Sequence, residues 1–186
     1  MHKQLPRQRA RMLRHPGRFN PVRIHSERDL LGRHLRLSLE PGKSLHEAIV
    51  APLAAVGVRS ASTTILGGQF AQLSYCVAPP DPSGKAVIAY SAPIDAGETY
   101  MIFGNATLGI SSQGAPLVHC HATIRCADGT FRGGHILPDR SIIGDRPISV
   151  LVTAFEGFTL RQSFDPETNI PLLQPFREAN NDHADA

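Results

Sequence analysis

This 186-residue chain has no tryptophan, only three cysteines and no long apolar run. No stretch approaches the roughly 18 apolar residues of a membrane-spanning helix, and the N-terminal segment lacks the apolar core of a signal peptide. The expectation is a cytoplasmic protein with no membrane partner. Cys76, Cys120 and Cys126 are an odd set without the paired spacing of a zinc motif. On one strand Cys120 and Cys126 would sit about 20 Å apart at roughly 3.3 Å per residue, too far for a disulfide. They read as buried free thiols of a reducing compartment. A Gly-x-Ser-x-Gly nucleophile elbow is missing, and Gly67-Gly68 alone does not make a phosphate loop. Nothing here is a positive sign of an enzyme. An apolar fraction of 41% still suffices for one core, so the simplest organisation is one domain with tails.

The net charge of +3 conceals an asymmetry. Residues 1–36 hold ten Lys or Arg against two acids, a balance of +8, and the other 150 hold nine against fourteen, a balance of −5. The basic character belongs to an N-terminal arm, residues 1–30, where prolines interrupt Arg7, Arg9, Arg11, Arg14 and Arg18 without lasting periodicity. Such a segment reads as mostly disordered and able to neutralise phosphates, hence a DNA contact. A merely solubilising extension is the alternative. The body is expected over 31–176, with a polar tail at 177–186.

Within the body, Leu35, Leu37 and Leu39 alternate with polar residues as in a half-buried strand. Ser44-Leu45-His46-Glu47 fits a capping box, followed by Leu45, Ile49, Leu53 and Val56 at helical spacing, with Gly57 as the stop. Pro52 should kink this helix. Strands are expected at 59–66, 70–77, 86–91, 100–110, 117–126, 131–137, 148–156 and 158–164. One helix among many strands predicts an α+β fold, with a largely antiparallel sheet packed on that helix.

The densest chemistry is His119 and His121 on one strand, then His135 in Arg-Gly-Gly-His. Strand alternation puts His119 and His121 on one face, opposite the apolar face of Val118, Cys120, Ala122 and Ile124. The turn decides whether His135 joins them. A two-residue Asp128-Gly129 turn sets His135 opposite Ala122, facing away. A three-residue Ala127-Asp128-Gly129 loop with a Gly129 bulge sets it opposite His121, at the cost of Arg132 opposite Ile124. Gly133-Gly134 would relieve this through a further bulge or admit another chain closely. Three imidazoles suit zinc or another divalent metal. The other reading is a set of hydrogen-bonded structural histidines. A cupin also uses His-x-His and a distant His, but here Arg125 replaces its usual Glu.

Several segments together resemble the PPC ("plants and prokaryotes conserved") family in its bacterial form: Leu37-Ser38-Leu39-Glu40-Pro41-Gly42, Leu66-Gly67-Gly68, Gly114-Ala115-Pro116-Leu117-Val118-His119-Cys120-His121, Gly133-Gly134-His135 and Arg161-Gln162-Ser163-Phe164-Asp165-Pro166-Glu167-Thr168. The resemblance spans 34–175. It implies an α+β domain that assembles as a homotrimer, with a DNA-binding role and a metal held by His119, His121 and His135. The plant members' Gly-Arg-Phe-Glu-Ile-Leu is replaced here by Gly97-Glu98-Thr99-Tyr100-Met101-Ile102, and an AT-hook core is absent. DNA binding is therefore expected from the arm, through phosphates rather than base edges. The rival function is a metal-bearing small-molecule binder or enzyme built on the three histidines.

Overall fold

A computed structural model describes residues 12–22, 25–30 and 32–177. Helix α1 runs Leu45–Ala55 and starts where Ser44 leaves the extended conformation; its Oγ accepts a hydrogen bond from Glu47 N at 3.1 Å. The Glu47 carboxylate lies 3.9 Å from Lys43 Nζ. Gly57, at φ 76°, ends the helix, and Gly57 N and Val58 N donate to the carbonyls of Ala54 and Leu53. The helix continues through Pro52, and Leu45, Ala48, Ile49 and Leu53 form its buried stripe.

Ten strands make one sheet: β1 Arg33–Leu39, β2 Ala61–Ile65, β3 Gly68–Cys76, β4 Ile94–Ile110, β5 Pro116–Cys126, β6 Phe131–Ile136, β7 Ile142–Ile143, β8 Ile148–Ala154, β9 Thr159–Asp165 and β10 Ile170–Phe176. Its order is β1-β8-β2-β4-β5-β6-β3-β7, and β3 also pairs with β4, so β4, β5, β6 and β3 close on one another. All pairings are antiparallel except one bridge, Ile110 to Arg161, by which the β9–β10 hairpin joins β4. The expected α+β, largely antiparallel fold on one main helix is the one observed. The core gathers Leu39, Ile49, Leu53, Phe70, Met101, Ile124, Ile136 and Val150, each fully buried.

One expected strand is missing and one strand was not foreseen, both because of proline's missing N–H. Residues 86–91 form no strand, only an isolated bridge between Pro80 and Ile88. Ala89 N and Ser91 N do reach the carbonyls of Pro79 and Val77, but Pro79 and Pro80 cannot donate in return. Conversely β10, which contains Pro171 and Pro175, is a strand that periodicity does not announce. It survives because it pairs with β9 alone. Among the described residues no helix is long and apolar enough to cross a membrane.

Candidate metal centre

The β5–β6 turn selects between the two registers. Cys126 N donates to Thr130 O at 2.9 Å, Gly129 N donates to Cys126 O at 2.9 Å, and Gly129 takes φ 82°. This is the three-residue loop, and it places His135 directly across from His121. Arg132 does fall opposite Ile124, yet it stays exposed and its charge acts on Asp128 in the turn. Gly134 has a concrete function. A Cβ there would lie 2.5 Å from the carbonyl oxygen of Cys76, so the glycine lets β3 pair with β6 immediately beside His135. The close neighbour is thus a strand of the same chain.

The three imidazoles converge on the sheet face turned away from the helix. Ring centroids lie 4.9 Å apart for His119 and His121, 4.7 Å for His119 and His135, and 5.4 Å for His121 and His135. One nitrogen from each ring lies within 4.8 Å of the others, close enough for small ring rotations to bring all three onto one ion. His135 Nδ1 is buried without a hydrogen-bond partner, a costly state for a structural histidine. Burial, then the charges of His135 and His121, lower the pKa of His119 to about 4. Burial and then His121 lower that of His135. Both shifts favour the neutral imidazole, the form that ligates a metal. The donor set, the orphaned nitrogen and the neutral rings all fit a divalent metal of the zinc type.

The thiols stay outside this group. Burial pushes Cys120 up to about 12 and raises Cys76, so both remain protonated and inert. Cys76 and Cys120 are buried and Cys126 is half-buried, all three as free thiols.

Residues that the sequence did not single out surround the histidines. Tyr90 lies against His135, with ring centroids 5.1 Å apart. It stands on the irregular segment expected to be a strand. The β9–β10 hairpin brings Leu160, Ile170, Leu172 and Leu173 beside His119 and His135, lining a half-open cavity of about 710 Å³. The apolar residues of β10 were the available signal, masked by its prolines.

Of the arginines assigned to the arm, Arg7, Arg9 and Arg11 lie outside the described residues, and Arg14 and Arg18 are exposed. The arm nevertheless touches the body. Gly17 N donates to Glu167 O at 2.9 Å, Asn20 N donates to Glu167 Oε2 at 2.9 Å, and His15 Nδ1 lies 2.6 Å from Glu167 Oε1.

A curled antiparallel sheet on one helix, carrying three convergent imidazoles, defines a small α+β domain with a candidate metal site. Residues 27–156 match the Plants and Prokaryotes Conserved (PCC) domain, and the chain belongs to that family. Among solved structures it is similar to a metal-containing protein from Archaeoglobus fulgidus, at 20% identity and TM-score 0.61, covering 81% of this chain and 98% of that one. It is also similar to a plant- and prokaryote-conserved protein from Pyrococcus horikoshii, at 15% identity and TM-score 0.62, covering 83% and 100%. A candidate DNA-binding protein from Ralstonia eutropha JMP134 aligns at 18% identity and TM-score 0.57, over 75% and 89%. A search of curated proteins finds no match.

Proposed function

We propose that this protein is a metal-binding member of its family, in which His119, His121 and His135 hold one divalent ion, zinc by donor chemistry. The observation that carries this reading is the convergence of three imidazoles with His135 Nδ1 buried and unpaired. The similarity to a metal-containing archaeal protein supports it. When bound, the ion supplies a Lewis-acidic centre at the wall of a cavity. The chain's own part is to fix three imidazole donors on two paired strands, with His119 and His135 half-buried. The test is elemental analysis of protein purified without a histidine tag. One ion per chain is expected in the wild type, falling well below one-tenth in His121→Ala. A metal-free wild type rejects the proposal.

A second reading concerns DNA, favoured by the charge asymmetry and by neighbours described as candidate DNA-binding proteins. Here Arg7, Arg9, Arg11, Arg14 and Arg18 bind duplex phosphates without sequence preference. The domain assembles as a homotrimer, so three arms act together through avidity. Exposed Tyr100, Phe103 and Phe131 support the assembly, because such a patch on a sheet face usually marks an interface. Fluorescence anisotropy of a labelled duplex tests the arm. The log of affinity should fall by about 0.9 per phosphate contact with log salt, and deleting residues 1–27 should abolish binding. Equal binding by the truncated protein at every salt concentration rejects the arm.

A further inference from the structure

The cavity beside the histidines has an unusual charge balance for a metal site. His119 and His135 form part of its wall, while His121 lies exposed outside the lining. Among the described residues the remaining wall is leucine, isoleucine, valine and proline, with Tyr90, Thr107 and Gln162 as its other polar side chains. Among the described residues, no Asp, Glu, Lys or Arg lines it. A divalent ion on three neutral imidazoles keeps its full double charge, and no carboxylate in this low-dielectric wall offsets it. That leaves a strongly anion-seeking end on an otherwise apolar chamber. A volume of about 710 Å³ lies within the range of small-molecule sites.

Resting on the metal reading above, we infer that the cavity binds an aliphatic monocarboxylate. Its carboxylate faces the His119–His135 end, and its hydrocarbon body lies against Leu160, Ile170 and Leu172. A dianionic or sugar-like ligand is disfavoured, because a wall without charged groups and with three neutral polar side chains leaves its extra polar atoms unpaired. A cation is repelled by the ion. A neutral alcohol of equal length gains the same burial without the charge interaction.

Isothermal titration of the full-length, zinc-loaded protein with straight-chain carboxylates of four to twelve carbons tests this. Affinity should rise about three- to fourfold per added methylene, then level off once the chain outgrows the chamber. The alcohol of matching length should bind at least tenfold more weakly. Leu172→Asp, on the hairpin and away from the ligand strands, should retain stoichiometric zinc but lose at least tenfold in carboxylate affinity. If that variant does not fold, the chain-length series and the alcohol comparison on the wild type still decide. Stoichiometric zinc with no carboxylate binding, or with affinity independent of chain length, overturns the inference and leaves the metal reading standing. Absence of zinc overturns the metal reading itself. Carboxylate binding unchanged after chelation overturns the assignment of the ion as the anion's partner.

Discussion

A buried imidazole nitrogen with nothing to bond is the residue-scale fact from which the account starts. Removing a polar atom from water without a partner costs roughly 1–3 kcal/mol, and His135 Nδ1 is in that position. Under the metal proposal, an ion held by His119, His121 and His135 would tie β5 to β6. Adding zinc at 100 times its dissociation constant should stabilise the folded state by about 2.7 kcal/mol. For a chain of this length that raises Tm by roughly 5–10 °C. Differential scanning fluorimetry should show this shift in the wild type and none in His135→Phe. A second residue-scale prediction concerns Asp81, whose carboxylate accepts from Ser83 N, Lys85 N, Ala86 N and Ser83 Oγ. These bonds, that of the Ser83 side chain first, lower its pKa from 3.8 to about 2. In the unfolded chain the carboxylate takes its proton at higher pH. The turn's contribution is therefore complete above about pH 4 and is lost as pH falls through 2. The protection of the Lys85 and Ala86 amides, relative to their intrinsic exchange rates, should fall over that window, and Asp81→Asn should remove that fall.

At the scale of elements, β6 depends on a glycine. Ala at position 134 would put its Cβ 2.5 Å from the Cys76 carbonyl oxygen, a backbone atom that cannot rotate away. Gly134→Ala should therefore destabilise by about 1–3 kcal/mol in denaturant titration and lower zinc affinity at least tenfold, because β3 holds the strand bearing His135. Gly84→Ala is the control for a glycine in open space. It has a left-handed φ of 68°, so it should cost stability yet leave zinc affinity unchanged. The histidine hairpin was legible in the sequence because alternation on β5 is strict and Ala127-Asp128-Gly129 admits only a few turns. What remained open was the register, one residue apart, and it took the Cys126–Thr130 pairing to choose. The helix was legible from Ser44, the 45-49-53 stripe and Gly57. The cavity was not. Its roof is a proline-containing edge strand and its side a tyrosine on an irregular segment, both positioned by contacts far apart in sequence.

For the whole molecule, the sheet separates two faces with different tasks. The inner face packs on α1. The outer face carries the histidines beside Tyr100, Phe103 and Phe131, brought together by the β4–β5–β6 registers. Under the trimer proposal Phe131→Glu should leave circular dichroism unchanged and reduce the light-scattering mass from three chains to one. It should also reduce the DNA affinity contributed by multiple arms. The central claim nevertheless rests on the ion. The most direct measurement is anomalous diffraction at the zinc edge from crystals of untagged protein. The account predicts a single strong peak per chain, about 2.0–2.1 Å from one nitrogen of each of His119, His121 and His135. Three ordered imidazoles with no anomalous peak between them would contradict it.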